Sequence, residues 1–381
     1  MSESKSTYLS KENLLNKINK MNILTDYLHI RSLFKQIVDM MPNLPLENVM
    51  IISGRSCTNL TNSICTNLNK KQTDVTIVDF ANTEITPKLN ESIRGRDMFI
   101  VQTGASFEGR SVQDHFVELL LLQDACVRAS AKSITVIAPF WFYSRSDKRD
   151  HRGAIGAKMA MDLVVNGNRA NRIISMDFHA SQEQAFANVP CDNLYCITLF
   201  CNYLKSNIFV SSDKTNQIDP NEQFILIAPD AGAEKKVKAY SSNLKLNYRI
   251  LTKNRDYTKA NTVMESHLTG DPTTIVGKTA ILVDDMIDTA GTLIQGILEL
   301  KKYGIKNVIV IASHGVFSGP ALERINATDE IISVIVTNSI PQEKNINICP
   351  KITVIDIGPY LAEVIRRLVV GESISDLFEM K

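Results

Sequence analysis

The sequence has almost no excess charge of either sign, no long apolar run and few cysteines, and each shortage excludes a class of protein. Its 381 residues contain 42 Lys and Arg against 41 Asp and Glu, a formal net charge of +1. With this balance and no recognisable nucleic-acid module, no nucleic-acid partner is expected. The longest apolar runs, such as 134–138 and 308–312, are far shorter than the ~18 residues that a membrane-spanning helix needs. No membrane partner is expected either.

The seven cysteines are an odd number in a long chain, which predicts reduced thiols rather than a disulfide framework. Cys191, Cys196 and Cys201 recur every five residues. A metal site is one interpretation, but there is no C-x-x-C pair and this spacing does not keep three ligands on one helix face, so core or surface thiols are favoured. The first thirteen residues are polar and lack the apolar core of a secretory signal, so we expect a cytoplasmic location.

Length and composition predict an α/β protein of two domains. The chain is 44% apolar and 22% charged, which is ordinary globular composition, and domains average roughly 150 residues. Residues 1–47 have a helical pattern that ends at a turn containing Pro42 and Pro45, which indicates a helical N-terminal extension. The predicted units are therefore 1–47, an N-terminal domain at 48–196 and a C-terminal domain at 197–381.

Short β-branched runs alternate with helical stretches through both predicted domains. Near-continuous apolar strands of this kind are typical of parallel sheets covered on both faces by helices. A polar stretch at 206–221 interrupts the pattern and is interpreted as a surface loop. The predicted strands are 49–52, 75–78, 98–101, 134–138, 173–176, 224–228, 248–251, 279–283, 308–311, 333–336 and 352–355.

Ligands of open α/β sheets bind beyond the carboxyl ends of the strands. The strand end with the most candidate ligand-binding residues follows strand 279–283. Asp284 and Asp285 are followed by the small-residue turn 288–292, after which a helix begins. Backbone N–H groups at such a helix N-terminus suit a phosphate, while adjacent carboxylates can accept from sugar hydroxyls or hold a hydrated magnesium ion. The alternative is an acidic strand end that only caps the helix.

Three further strand ends carry chemistry. His179 follows strand 173–176 and can ligate a metal or shuttle a proton, although a histidine in such a place is often structural. Asp230 follows strand 224–228. The loop 143–152 after strand 134–138 runs from aromatic into cationic residues, which suits a nucleotide; a solvated charge run is the alternative.

The segment 104–111 nearly matches the spacing of a P-loop. Arg110 stands in the lysine position, and the broad guanidinium fork does not replace a compact ammonium inside a phosphate-wrapping loop. We also expect no clear helix to begin at Ser111. A true P-loop is therefore not favoured.

Taken together, these segments resemble the ribose-phosphate pyrophosphokinases, or phosphoribosyl pyrophosphate synthetases, over nearly all of 48–378. The string around Asp284 and Asp285 is similar to the phosphoribosyl-pyrophosphate loop of the type I phosphoribosyltransferase fold. The collinear stretches are 80–84, 92–95, 143–152, 176–182, 229–232, 253–255, 283–292, 314–320, 337–342 and 371–378. The resemblance implies two phosphoribosyltransferase-like domains and a magnesium-dependent transfer of the β,γ-diphosphoryl group of ATP to the anomeric hydroxyl of ribose 5-phosphate.

The resemblance also implies roles for individual residues, and self-association into a homo-oligomer, a hexamer built from dimers. The catalytic cations of a mobile loop would be Lys253 and Arg255. ATP would be bound by Phe80, Asn82, Glu84, Arg145, Ser146 and Asp147, the first three across a subunit boundary. Magnesium on ATP would be held by His179 and Asp230. Ribose 5-phosphate would be bound by Asp284, Asp285, Asp288, Thr289, Ala290, Gly291 and Thr292. Inhibition by ADP and activation by phosphate would involve Ser92, Arg94, Arg152, Ser373, Ser375 and Phe378.

The sequence departs from the family pattern in places. Ser146 stands where a glutamine is usual, the segment 104–116 is longer than expected, and 233–236 replaces a more glycine-rich run. A catalytically weak regulatory subunit that assembles with active synthetases is therefore the rival hypothesis, but the catalytic residues named above are retained and favour the enzyme. A phosphoribosyltransferase that consumes the product explains the 284–292 loop but not the ATP-like motifs.

Overall fold

The computed structural model describes residues 45–149, 151–209, 219–255 and 263–377. The predicted helical extension at 1–47 lies almost wholly outside the described residues. A short 3₁₀ turn, Pro45–Asn48, leads into the first strand.

All eleven predicted strands form, most of them with bounds that differ by one to four residues. The sequence missed β3, β7 and β10. In chain order the strands are β1 (Val49–Ser53), β2 (Val75–Asp79), β3 (Ile85–Leu89), β4 (Asp97–Val101), β5 (Ser133–Ala138), β6 (Arg172–Met176), β7 (Cys191–Leu194), β8 (Phe224–Ala228), β9 (Tyr248–Arg255), β10 (Val263–Leu268), β11 (Thr279–Ile287), β12 (Asn307–Gly315), β13 (Ile331–Thr337) and β14 (Ile352–Ile355).

The α-helices connect these strands and cover the sheets. They are α1 (Thr58–Asn67), α2 (Val112–Arg128), α3 (Gly156–Asp162), α4 (Ile197–Tyr203), α5 (Pro220–Gln223), α6 (Glu234–Leu244), α7 (Gly291–Lys302), α8 (Ala321–Asn326), α9 (Glu343–Ile348) and α10 (Gly358–Val370). Helices α3 and α4 each continue into one π-helical turn, Leu163–Gly167 and Leu204–Ile208.

The expectation that no helix begins at Ser111 is wrong. Ser111 is the N-cap of α2, where its hydroxyl accepts from the Asp114 N–H at 3.2 Å and its own N–H donates to the Asp114 carboxylate at 2.7 Å. This is a capping box, and its S-x-x-D pattern is readable in the sequence. Because the helix satisfies its own N-terminus, the finding does not restore the P-loop interpretation.

Two parallel sheets dominate the described part of the chain. The first has the strand order β1-β4-β5-β6-β7, and the second has the order β10-β9-β8-β11-β12-β13-β14, in which only β10 runs antiparallel to its neighbour. The prediction of an α/β protein with mostly parallel central sheets is therefore confirmed. The division into domains at 196/197 falls between β7 and β8 and stays a prediction.

The strand at 75–78 was predicted correctly but is not part of a parallel sheet. It pairs antiparallel with β3 in a separate two-stranded hairpin. Along β2, Val75 and Ile77 are partly buried while Thr76 and Val78 are exposed, which is the alternation of a strand covered on one face only. Strand β3 lies against α2, so the hairpin is attached to the outside of the first domain.

The hydrophobic core joins the two sheets. One cluster of buried side chains contains Ile51 of β1 and Ile281 of β11, together with Leu60 of α1 and Leu361 of α10. Helices α1 and α10 pack against each other, and a Cβ atom at Gly358 would lie only 2.1 Å from the Ser63 hydroxyl. The last helix of the second half therefore completes the core of the first.

The remaining predictions from composition have these outcomes. All seven cysteines lie in the described ranges as free thiols, and Cys196 and Cys201 belong to the shared core. No helix among the described residues is both long and apolar enough to cross a membrane.

Candidate active site

The carboxyl ends of the two sheets meet, and this brings predicted residues from both halves together. His179 follows β6 of the first sheet, and its Nδ1 lies 2.7 Å from Oδ2 of Asp285 in β11 of the second. Arg145, in the loop after β5, forms an ion pair with Asp288 in the loop after β11. The residues predicted for ATP and magnesium and those predicted for ribose 5-phosphate are thus in direct contact.

A buried polar seam joins the end of β6 to β12, the neighbour of β11 in the second sheet. The imidazole of His314, in β12, donates from Nε2 to the Met176 carbonyl of β6 at 3.0 Å, and its Nδ1 lies 2.9 Å from the Ser339 hydroxyl. Ser313 donates to the carboxylate of Asp177, which also accepts from the Cys196 N–H at 3.1 Å. Burial lowers the pKa of His314, so the ring is neutral. The seam therefore aligns β6 with β12 without a buried cation.

The adjacent carboxylates differ strongly in charge. Burial, followed by the neighbouring Asp285, raises the pKa of Asp284 well above its ordinary value. Burial also opposes ionisation of Asp285, but hydrogen bonds from His179 and Asp284 outweigh it and hold the pKa of Asp285 well below its usual range. Two close carboxylates rarely ionise together. Of the two carboxyl groups, Asp285 therefore ionises first, and Asp284 holds its proton to higher pH.

The hydrogen bond to Asp285 raises the pKa of His179 above its ordinary value, in spite of partial burial. Four residues further on, the side chain of Glu183 is fully buried. One of its carboxylate oxygens accepts from the Ala180 N–H at 3.0 Å and closes the turn after His179, whereas the other has no partner among the described residues. Burial raises the pKa of Glu183 to about 7. A second proton-binding carboxyl group therefore lies close to His179.

The loop between β11 and α7 has the geometry of an anion site. Ala290 has a left-handed backbone with φ of 57°, and α7 begins at the next residue with no side chain capping its N–H groups. Uncapped N–H groups at a helix start are available to a phosphate. Arg324 Nη1 donates to the Thr289 carbonyl at 2.8 Å, and a Cβ at Gly291 would lie 3.2 Å from the same nitrogen. Glycine thus lets a cation approach the loop.

Ser146 holds the loop after β5 in shape. Its hydroxyl accepts from the Gly156 N–H at 2.9 Å and donates to the Ala154 carbonyl at 3.2 Å. A Cβ at Gly156 would lie 2.9 Å from the Tyr143 Cβ, so the two ends of the loop are tightly opposed. The short serine side chain therefore serves the loop itself, next to Arg145.

The β2–β3 hairpin carries Phe80, Asn82 and Glu84 at its tip. The Phe80 N–H donates to the Glu84 carbonyl at 2.9 Å, Thr83 has φ of 70°, and Phe80 is 50% exposed. No contact among the described residues links these three side chains to His179 or Asp285 of the same chain. They face outward, as side chains that meet a neighbouring molecule do.

Comparisons with known proteins identify the family. Residues 49–166 match the model of the N-terminal domain of ribose phosphate pyrophosphokinase, and residues 258–379 match that of the phosphoribosyl synthetase-associated domain. The chain is 39% identical over 335 residues to ribose-phosphate pyrophosphokinase 2 of Schizosaccharomyces pombe, covering 88% of this chain and 98% of that protein. The chain belongs to the ribose-phosphate pyrophosphokinase family.

The fold agrees with this assignment. The crystal structure of phosphoribosylpyrophosphate synthetase from Mycobacterium smegmatis matches with a TM-score of 0.75 and 32% identity, over 85% of this chain and 99% of that one. The family resemblance, the fold class and the assignment to a diphosphate-transferring class of enzyme are thereby confirmed.

Several residues that were predicted for the site make no contact with His179 or Asp285 among the described residues, or lie outside the described residues themselves. Lys253 and Arg255 end β9, and their side chains lie outside the described residues. The carboxylate of Asp230 accepts from the Ala233 N–H at 3.1 Å, which caps a short turn. Among the predicted regulatory residues, Ser92, Arg94, Arg152 and Ser373 are exposed, Ser375 is partly buried, and Phe378 is outside the described residues. Their roles stay predictions.

The pyrophosphokinase site also contains residues that the sequence analysis did not find. Arg324 donates to the backbone carbonyl of Thr289, Glu183 accepts from the Ala180 N–H next to His179, and His314 contacts the Met176 carbonyl at the end of β6. Lys236 was noted only as a departure from the family pattern, yet its charge acts on both Asp284 and Asp285. Glu183, Lys236 and Arg324 do not directly follow a strand. His314 lies near the end of β12, and this position in the sequence could have identified it.

Proposed function

We propose that the protein transfers the β,γ-diphosphoryl group of ATP to the anomeric hydroxyl of ribose 5-phosphate, giving phosphoribosyl pyrophosphate and AMP. The hydrogen bond between His179 and Asp285 carries the proposal. It joins the strand end proposed for ATP to the strand end proposed for the sugar, and a direct transfer requires that the two substrates lie next to each other.

The sugar phosphate is assigned to the second sheet. The uncapped start of α7, with the loop from Asp288 to Thr292, would bind the 5-phosphate. Asp285, held ionised by His179, would accept from a ring hydroxyl, and Asp284 beside it, whose pKa is raised, would accept from or donate to a second hydroxyl.

ATP is assigned to the loop after β5 and to the hairpin of a neighbouring subunit. Arg145, now paired with Asp288, would exchange this partner for the triphosphate, with Asp147 beside it. Phe80, Asn82 and Glu84 would hold adenine from the neighbouring chain, which accounts for the exposed phenyl ring. This assignment requires a homo-oligomer, for which we propose a hexamer built from dimers.

The residues present fit a magnesium ion that arrives on ATP rather than one held by the protein alone. In the described ranges, no group of three or more His, Cys, Asp or Glu side chains is arranged to hold a metal ion. Magnesium keeps several waters and binds through one or two protein groups plus substrate phosphates. His179 and Asp230 would be those groups, and the ion would supply charge neutralisation on the phosphates.

The transfer breaks the bond between the β-phosphorus and the α,β-bridging oxygen while the anomeric oxygen attacks that phosphorus. AMP leaves with the bridging oxygen, and the hydroxyl proton passes to solvent, since an anomeric hydroxyl is already relatively acidic. Negative charge spreads over the transferred group in the transition state, where Lys253 and Arg255 would stabilise it. Removing one such donor typically costs ~10²–10³ in rate.

The deciding experiment incubates purified protein with ATP, magnesium and ribose 5-phosphate, and quantifies AMP and phosphoribosyl pyrophosphate. We expect equal amounts of both products, and a kcat lower by about 10²–10³ when Lys253 or Arg255 is replaced by Ala. Lys238→Ala, an exposed lysine on α6, is the matched control and should retain wild-type kcat. Nucleotide binding without AMP formation would refute the enzyme and support the regulatory-subunit hypothesis.

The remaining parts of the proposal concern regulation and location. We propose that Ser92, Arg94, Arg152, Ser373, Ser375 and Phe378 form the site at which ADP inhibits and phosphate activates. Activity of the wild type at graded phosphate concentrations, with and without ADP, tests this assignment. A cytoplasmic location is also proposed, and the free thiols of the described ranges support it, since thiols stay reduced in that compartment.

A further inference from the structure

The segment 104–111, first noted for its spacing, forms a tight hairpin turn. Phe107 and Arg110 exchange two backbone hydrogen bonds, of 3.1 and 3.0 Å, around a two-residue turn. Glu108 and Gly109 in that turn have φ of 50° and 79°, which is the conformation of a type I′ turn. The turn therefore fixes the direction in which the Arg110 side chain leaves the backbone.

Arg110 reaches the β2–β3 hairpin where β2 meets the tip. Its Nη2 donates to Oδ1 of Asp79 at 2.9 Å, and Asp79 is the last residue of β2, directly before Phe80. A second cation, Arg55, donates from Nη1 to both oxygens of the same carboxylate, at 3.0 and 2.9 Å. One carboxylate at the start of the hairpin tip is thus held from two sides.

Arg55 is itself fixed to the domain core. Its backbone N–H donates to Oε1 of Glu118 at 2.7 Å, and its Nε donates to the other oxygen. The Glu118 side chain on α2 is buried, and it also accepts from Gln102, which directly follows β4, at 3.0 Å. The network therefore runs from the rigid sheet through Arg55 to Asp79, and Arg110 completes it.

We propose that Arg55 and Arg110, acting through Asp79, position the hairpin tip, and thereby set the affinity for ATP of the neighbouring subunit that the tip serves. The inference rests on the proposed function, in which Phe80, Asn82 and Glu84 hold adenine. Apart from this network, the hairpin is attached mainly where β3 lies against α2. Loss of the network lets the tip pivot on that contact and misplaces the three side chains together.

The test compares Arg110→Gln with Arg128→Gln in the full chain. Arg128 is the last residue of α2, at the opposite end of the helix from Arg110, is exposed, and forms an ion pair with Asp124, so it controls for the loss of one paired arginine. We expect Arg110→Gln to raise KM for ATP about threefold to tenfold, because partners in one charged network couple to this extent. At saturating ATP, kcat and KM for ribose 5-phosphate should stay within about twofold of wild type. Arg128→Gln should change none of them.

A double-mutant cycle separates positioning from general damage. Asp79→Asn should raise KM for ATP at least as much as Arg110→Gln, and the double variant should be no worse than Asp79→Asn alone. Arg110→Lys should recover part of the affinity, because it keeps the charge but loses the fork. The proposal would be overturned if Arg110→Gln and Asp79→Asn had the same KM for ATP as Arg128→Gln. It would also be overturned if their KM values for ATP and for ribose 5-phosphate rose equally.

Failure of the positioning role can be told apart from failure of the proposed function. Calorimetric titration of wild type and both variants with ATP and magnesium, without ribose 5-phosphate, measures nucleotide affinity directly. A wild type that makes no phosphoribosyl pyrophosphate refutes the proposed function. In that case, ATP affinity that is weakened in Arg110→Gln but not in Arg128→Gln still supports the positioning role, and unchanged affinity refutes it.

Discussion

Replacement of the buried Glu183 by glutamine should change stability in a pH-dependent way. The free energy of unfolding of the variant, relative to that of wild type, should increase as the pH rises. The amide keeps an oxygen for the Ala180 N–H but cannot ionise. In the folded chain, burial raises the pKa of Glu183 from its ordinary 4.5 to about 7. The folded state therefore holds this proton more tightly than the unfolded state does. The contribution of Glu183 to the stability of the wild type is lost as pH rises from 4.5 to 7, and the Gln variant lacks this contribution to the pH dependence.

The size of the effect follows from the two pKa values. At 1.36 kcal/mol per pKa unit, the full window corresponds to roughly 3 kcal/mol. The range from pH 5 to pH 8 begins above the lower of the two pKa values and so covers only part of this effect. Over that range, the free energy of unfolding of Glu183→Gln relative to wild type should increase by about 2 kcal/mol. Burial is the main cause of the raised pKa, so the effect should persist at high salt.

The assay is urea unfolding at pH 5 and pH 8, in the presence of EDTA so that no divalent cation binds. Trp141 is the single tryptophan and is buried against Phe178, with ring centroids 6.2 Å apart, so its fluorescence reports on the folding of this region. Glu323→Gln, at an exposed position on α8, controls for the loss of one surface carboxylate. A stability difference that is the same at both pH values, or that moves in favour of wild type from pH 5 to pH 8, would refute the reasoning.

Three further predictions follow from other contacts. Asp285→Asn should lower the pKa of His179 in an NMR titration, because the hydrogen bond to the carboxylate is what raises it; an unchanged or higher value would contradict this. Ser146→Ala should reduce the free energy of unfolding by about 1 kcal/mol, measured by urea titration, because two loop hydrogen bonds lose their partner; a stability equal to wild type would show that the loop does not depend on them. Gly358→Ala should cost about 1–3 kcal/mol in the same assay through the clash with Ser63, and the added change Ser63→Gly should restore most of it; a failure of this rescue would place the cost elsewhere.

Much of the fold is readable from the sequence because most strands are short apolar runs between polar segments. Strands β8 and β14 have the bounds that were predicted, 224–228 and 352–355. Strand β7 was missed because it is made of Cys-Asp-Asn-Leu at a sheet edge, where pairing with β6 rather than composition decides the structure. Strand β3 contains Pro87, which is tolerated only because the hairpin is two-stranded.

The site was predictable in part for a similar reason. Placing ligands at the carboxyl ends of strands brought His179 and Asp285 into one hypothesis, and the structure places them 2.7 Å apart. Glu183 follows a turn rather than a strand, and only the folded chain shows that it is buried. The hydrogen bond from Arg110 to Asp79 joins residues that are 31 positions apart. It depends on a turn before Arg110 whose two residues both have positive φ. Neither composition nor periodicity contains that information.

The packing of α10 on α1 has a consequence for synthesis on the ribosome. The strands of the first sheet end at Leu194, but one face of that half is covered by side chains as late as Ile365. During translation, nearly the whole remaining chain must emerge before this face is shielded from water. The nascent first half therefore keeps part of its apolar surface in water until the last helix has been made.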